Sequence, residues 1–284
     1  MFTVYILRTS KGTLYTGQTN NLERRLKEHN SKTIKSAKYT RCFDSLELVY
    51  KEVFATRSEA MKREYEIKKL TKSKKEKLIK SVNNMKQQVV VVHGGTTFDN
   101  YEKYIDYLKN QEIYLDRVRF KKYWKENLQE DLGDNYDVLL PRMPNKDDAR
   151  YLEWAIYFNN FSNQLDDDLI LMGNSLGGIF LAKYLSENKF NKKIKALILI
   201  AAPFDEENSD EPLGDFNLNT PLLKLSEQCK NIFLIQSKDD NEVLFEQVLK
   251  YKKALPEAKL ITFEDRGHFG QDNFPEVVKL IKTI

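Results

Sequence analysis

The chain has 284 residues, 41% of them hydrophobic and 31% charged, which is long enough for two domains at roughly 100–200 residues each. No apolar run approaches the ~20 residues that cross a bilayer, and two distant cysteines, Cys42 and Cys229, exclude a disulfide framework or a zinc knuckle. The net charge of +4 conceals an asymmetry: residues 1–84 hold 20 basic and 9 acidic side chains (+11), and the remainder is −7. A basic segment joined to an acidic one suggests two modules, the basic one a candidate for nucleic acid, although Lys-rich helices also serve simply as solvated faces. The opening run, Met1 to Arg8, is too short and wrongly flanked for a signal peptide, and a reduced, cytoplasmic setting is expected.

Val4–Leu7 and Leu14–Gly17 are strand-like runs about a Ser10-Lys11-Gly12 turn, so they predict a hairpin. A helix is predicted to start at Asn20 or Asn21, with Arg25 and His29 four residues apart on one face. Leu46–Val53 alternates like a third strand. Helices are predicted over Arg57–Leu70, carrying Glu64, and over the Lys-rich stretch Thr71–Lys80.

Val4-Tyr5-Ile6, Tyr15-Thr16-Gly17, Arg25, His29 and the later helical Glu64 together resemble the GIY-YIG nuclease domain, with both name-giving triplets varied. Within that family the segment is most similar to small single-domain proteins of poorly defined function. The resemblance implies that Tyr5 and Tyr15 sit at the scissile phosphate and that Arg25 stabilises the transition-state charge. It also implies that His29 assists proton transfer and that Glu64 binds one divalent metal, Mg²⁺ or Mn²⁺. Phosphodiester hydrolysis needs such a Lewis acid, cation and proton acceptor, and a single carboxylate suffices for Mg²⁺. The bland alternative is strand packing for the tyrosines and an ion pair for Arg25 and Glu64.

Ser81–Asn84 is a short polar link, and Met85 stands where a separate gene would begin, a hint of fusion. Val89–Val92 is a β-branched strand running into His93-Gly94-Gly95-Thr96. Helices are predicted over Asn100–Asn110, Arg117–Asp131, Asp147–Gln164, Phe245–Leu255 and Pro275–Ile284. Strands are predicted over Tyr136–Leu140, Ile194–Ala202, Ile232–Ile235 and Lys259–Phe263. Between them, the apolar strand Leu169–Met172 turns through Gly173-Asn174-Ser175-Leu176-Gly177 into a helix, the G-x-S-x-G pattern of a nucleophile elbow. Strands alternating with helices predict a parallel sheet covered on both faces, with its site at the C-terminal strand ends. His93-Gly94-Gly95, Ser175, Asp240 and His268 all fall at such ends.

The order Ser, Asp, His resembles the α/β-hydrolases, in particular the small, nearly lidless serine hydrolases of the retinoblastoma-binding-protein-9 and YdeN type. The resemblance implies Ser175 as nucleophile, His268 as base then acid, and Asp240 orienting the imidazole. Asp239 is the rival acid; Asp240 is preferred because the family's acid stands three before a Val, here Val243. The oxyanion hole would comprise the N–H of Leu176 with that of Gly95 or Thr96, and His93 would either hold the oxyanion loop or be a plain loop histidine. Trp154 and the aromatic residues Phe204 and Phe216 would line an acyl pocket or belong to the core.

The expected fold is α/β: a parallel-sheet α/β-hydrolase domain over 85–284 preceded by a small α+β GIY-YIG domain over 1–82. The expected function is hydrolysis of a small acyl ester, secondarily an amide, through an acyl-enzyme without a cofactor, beside a metal-dependent DNA nuclease domain. The competing reading is a nucleic-acid-processing nuclease whose hydrolase-fold half is a non-catalytic interaction module, and a third is an interaction protein with neither activity.

Overall fold

The computed structural model describes residues 1–31, 37, 39–83, 86–207, 212–218 and 221–284. The chain divides into two compact units, Met1–Met85 and Lys86–Ile284. Asn84 and Met85, in the expected link, lie outside the described residues. Among the described residues no helix is long and apolar enough to cross a membrane.

In the first unit β1 (Phe2–Thr9) and β2 (Leu14–Thr19) form an antiparallel hairpin, closed where Gly12 adopts φ +71° and its N–H donates to Thr9 O at 2.8 Å. α1 (Leu22–Asn30) starts at Asn21, whose side chain accepts from the Arg24 N–H. β3 (Leu46–Phe54) pairs with the other edge of β1, giving the order β2-β1-β3. α2 (Arg57–Lys69) carries a Thr56/Glu59 capping box, and α3 (Lys72–Asn83) follows. The two-residue period of β1 separates its faces: Val4 and Ile6 enter the apolar core with Val49, Ala60, Ile67 and Ile79, leaving Tyr5 to the opposite side.

The second unit is a six-stranded, wholly parallel sheet. In chain order it contains β4 (Gln87–Val92), α4 (Tyr101–Asn110), α5 (Leu115–Val118), α6 (Trp124–Leu132), β5 (Tyr136–Leu139), α7 (Tyr151–Ser162), β6 (Leu169–Asn174) and α8 (Leu176–Glu187). Then come β7 (Ile194–Ile200), α9 (Leu223–Gln228), β8 (Ile232–Ser237), α10 (Phe245–Ala254), β9 (Lys259–Phe263) and α11 (Pro275–Thr283). The strand order β5-β4-β6-β7-β8-β9 puts β6 near the centre, and all six of its residues are buried. One apolar layer packs α7, α8 and α10 on one face of the sheet, and a second packs α6 and α11 on the other.

Two helix expectations need correction. The single helix over Arg117–Asp131 is instead α5 and α6, because tertiary contacts fix Trp124. Its backbone N–H donates to Gln271 O at 3.1 Å, its indole N–H to Phe269 O at 2.9 Å, and its ring meets Phe274 edge-on. The helix expected from Asp147 begins only at Tyr151. The preceding residues are committed to backbone pairing: Thr96 N–H donates to Lys146 O at 2.8 Å and Ala149 N–H to Thr96 O at 2.9 Å. The short α9 carries no signal in the sequence, six residues being too few to show a period.

Candidate active sites

Ser175 stands between β6 and α8 with φ +54° and ψ −126°, a strained conformation for a side chain with a Cβ. Small neighbours make the turn feasible. A Cβ on Gly173 would lie 2.6 Å from the Gly177 carbonyl carbon, and one on Gly177 would lie 2.5 Å from His93 O and nearer still to Val92 O. The turn is fixed by Ser175 N–H donating to Ile200 O at 2.9 Å and by Gly178 N–H donating to Ser175 O at 2.8 Å. The hydroxyl faces a cleft of about 1120 Å³, also lined by His93, Gly94, Gly95, Lys125 and His268.

His268 sits in the loop after β9, and its Nδ1 lies 2.9 Å and 3.1 Å from the two carboxylate oxygens of Asp240. Asp240 is 2% exposed and held from three more directions. Gln236 Nε2 donates to its Oδ2 at 3.0 Å, and the backbone N–H groups of Glu242 and Val243 donate to its Oδ1 at 2.9 and 3.0 Å. The Val three residues on thus supplies a donor that fixes the acid. Asp239 points elsewhere, accepting from Ser237 Oγ at 2.5 Å and Gly267 N–H at 2.8 Å, and these bonds lower its pKa. Burial pulls His268 down, but the hydrogen bond and charge of Asp240, with the charge of Glu242, outweigh it and raise His268 above 6.5. Glu242 had no place in the sequence reading; its carboxylate lies 3.5 Å from His268 Nε2. Among the described residues no hydrogen bond joins Ser175 Oγ to His268; such bonds commonly tighten only around substrate.

The oxyanion assignment narrows. Thr96 is ruled out as a donor because its N–H is already given to Lys146 O. Leu176 opens α8, where a helical N–H has no partner within its own helix, and Gly95 lines the cleft with its own N–H unbonded among the described residues. His93 holds this loop. Its Nε2 accepts from Met143 N–H at 3.0 Å, so the ring is neutral with its proton on Nδ1, which donates to Gly94 O at 2.6 Å. Trp154 and Phe216 are core: both are fully buried and meet edge-on, and the Trp154 indole N–H donates to Pro144 O at 2.7 Å. Phe204 packs edge-on against Tyr251 rather than into the cleft.

In the first unit the structure gathers the residues named from sequence. Tyr5 is fully buried, and its hydroxyl lies 2.9 Å from His29 Nε2, while His29 Nδ1 lies 2.9 Å from Thr40 Oγ1. Thr40 donates its single proton to Ala37 O, so it accepts from His29 Nδ1–H. His29 Nε2 is then bare and accepts from the Tyr5 hydroxyl. Burial keeps this imidazole neutral by lowering it to about 4, helped by the Arg25 charge, and pushes Tyr5 up to about 12. Tyr15 meets His29 edge-on at 5.4 Å, and Arg25 bonds both Glu28 and the Tyr5 hydroxyl. Glu64 is near enough for its charge to be felt at Tyr5, and it pairs with Lys68 at 2.7 Å. Among the described residues no group of three or more His, Cys, Asp or Glu is placed to hold a metal ion.

Comparison with known proteins finds a family match in each unit. Residues 1–77 match the family model described as the GIY-YIG catalytic domain, and residues 118–282 match the one described as serine hydrolase. A UPF0213 protein of Desulfotalea psychrophila is 51% identical over 78 residues, covering 28% of this chain and 70% of the relative. A UPF0213 protein of Clostridium perfringens is 46% identical over 103 residues, covering 36% of this chain and 96% of the relative. The ydeN gene product of B. subtilis superposes with a TM-score of 0.55 at 21% identity, covering 69% of this chain and 97% of that one, a likeness of fold.

Proposed function

We propose that this chain, which belongs to the serine hydrolase family through residues 118–282 and carries a GIY-YIG catalytic domain with UPF0213 relatives over residues 1–77, hydrolyses small esters through an acyl-enzyme on Ser175. The observation that carries this reading is the buried Asp240 clamped to His268 Nδ1 in the cleft that opens on the Ser175 elbow. His268 Nε2 takes the Ser175 proton as Oγ bonds to the ester carbonyl carbon. The carbonyl oxygen becomes an oxyanion facing the Leu176 and Gly95 N–H groups. Collapse breaks the bond to the alcohol, which leaves with the proton from His268. Water, deprotonated by His268, repeats the sequence, releases the acid and restores Ser175. Amides follow the same path more slowly because an amine leaves less readily. Acid-quenching the protein during turnover of p-nitrophenyl butyrate should show the Ser175 peptide heavier by the butyryl group. Turnover with no acyl adduct would contradict the covalent route.

The pH dependence has a definite sign. The base must be neutral, so kcat/KM for a neutral ester should climb with pH through an acid limb above 6.5, because His268 is raised. Asp240→Asn removes the main raising influence and leaves burial opposed by Glu242 alone, so the limb should move down while the rate falls on the order of 10³–10⁴-fold. Glu242→Gln should move the limb down by less. A limb unmoved in Asp240→Asn would dissociate Asp240 from His268.

For the first unit we propose metal-dependent cleavage of DNA, favoured by the joined Tyr5, His29, Tyr15 and Arg25 cluster and by the +11 charge of residues 1–84. Glu64 fits as a single hard-oxygen ligand for Mg²⁺ or Mn²⁺, which keeps most of its waters, once Lys68 releases the carboxylate. Bound there, the ion would supply Lewis acidity at the phosphate. Arg25 would place its charge against the phosphate oxygens, and Tyr5 and Tyr15 would orient the attacking water. His29 Nε2 is the ring's one acceptor for a proton. The full chain should bind single-stranded or branched DNA with steep salt dependence and cut it only with the metal. Glu64→Ala should abolish cutting while binding largely survives; cutting that persists in this variant would contradict the assignment.

A further inference from the structure

Among the described residues Lys125 of the hydrolase cleft forms no salt bridge with a carboxylate, although the charge of the neighbouring Glu126 acts on it. It lies on α6, and its Nζ donates to Asn174 Oδ1, the residue immediately before Ser175, at 2.9 Å. Its ammonium has three donors, and among the described residues this is its one hydrogen-bonded acceptor, with the Trp124 ring 5.7 Å away. The acidic residues lining the cleft are engaged elsewhere. Glu126 accepts from Tyr123 N–H at 3.0 Å, Asp147 pairs with Lys146 at 2.5 Å, and Glu242 lies by His268. Burial lowers the Lys125 pKa, as expected for an ammonium with little to replace its water. Its charge is also felt at His93 and His268, which line the same cleft as Ser175. A partly desolvated charge with little to pair with is costly, and a ligand carboxylate set against it would relieve that cost. Arg142, exposed on the cleft wall, adds positive charge there, as does Lys146, which is paired with Asp147.

We propose that the cleft selects esters that carry a carboxylate, and that Lys125 is the side chain that receives it. This rests on the esterase reading for turnover but not for binding. A single ammonium suits a carboxylate; it lacks the forked donors that grip a phosphate in two places.

The test compares pairs of matched size in the full chain. Mono-p-nitrophenyl glutarate is set against p-nitrophenyl pentanoate, and 4-acetoxybenzoate against phenyl acetate, so that the carboxylate lies on the acyl or the leaving side. Wild type should favour at least one anionic member by tenfold or more in kcat/KM, after correction for the intrinsic reactivity of each ester. Lys125→Met should lower that ratio at least tenfold, and Lys125→Arg should largely restore it. A wild-type ratio near one in both pairs overturns the proposal, and so does a ratio unchanged in a folded Lys125→Met. Binding is read separately by NMR titration of Ser175→Ala with monomethyl glutarate and with methyl pentanoate. Tighter binding of the anionic ester, lost when Lys125→Met is added, supports the site even if no ester is turned over, in which case the esterase reading alone fails. Turnover of the neutral esters with no anionic preference in rate or binding leaves the esterase and removes the anion site.

Discussion

Ser175→Ala should lower kcat/KM for p-nitrophenyl butyrate by at least about 10³-fold, and His268→Ala should cost a similar factor. In the proposed acyl-enzyme route Ser175 and His268 act as one unit. Without the hydroxyl there is nothing for His268 to deprotonate, and without His268 the hydroxyl is a poor nucleophile. The double variant should therefore be little worse than either single one, leaving only what the Leu176 and Gly95 donors and substrate binding provide. Independent, multiplying losses would show that the two side chains do not share a step. Asp239→Asn should cost far less than Asp240→Asn, because the Asp239 carboxylate is spent on Ser237 and Gly267 rather than on His268.

Gly177→Ala should be the most damaging single methyl group in the second unit. Its Cβ would press on two backbone carbonyls, those of Val92 and His93, where β4 ends under the start of α8. Backbone cannot swing aside as a flexible side chain can, so β4 and α8 must separate or the elbow must distort. A loss of about 3–5 kcal/mol is expected, the range of severe overpacking. For a unit of this size that corresponds to a fall in Tm of roughly 6–20 °C. Gly270→Ala is the control: nothing lies within 4 Å of its added Cβ, and its melting temperature should hardly change. Equal melting temperatures for the two variants would mean that strand and helix are less closely apposed at the elbow than the structure has them.

Much of the fold could be read from local pattern. The apolar run of β6 is buried on both faces, so its composition alone marks a central parallel strand. A helix start at Asn20 or Asn21 is legible because a side-chain oxygen there satisfies an N–H that the helix leaves bare, and the structure selects Asn21. What escaped depends on partners remote in sequence. α6 starts where Trp124 is anchored by the Phe269–Phe274 segment, about 145 residues on. Thr96 and Gly95 are equivalent in sequence as oxyanion donors, and only the bond from Thr96 N–H to Lys146 O separates them. Lys125 reads as one more charge on a wet helix, and only its bond to Asn174, 49 residues away, brings it into the cleft. Trp154 and Phe216 could belong to pocket or core because large apolar residues serve either, and their full burial assigns them to the core. In the first unit the spacing of Tyr5, Tyr15, Arg25 and His29 carried the resemblance, whereas the His29 tautomer required the Thr40 to Ala37 bond.

Whether Ser175 is an activated nucleophile can be measured without knowing the natural substrate. The full chain is treated with a fluorophosphonate probe, digested, and the adduct located by mass spectrometry, with heat-denatured protein as control. The expected result is one adduct, on Ser175, formed by the native protein alone, absent from Ser175→Ala and strongly slowed in His268→Ala. Labelling of native and denatured protein to the same extent, or equal labelling of wild type and Ser175→Ala, would contradict a catalytic Ser175.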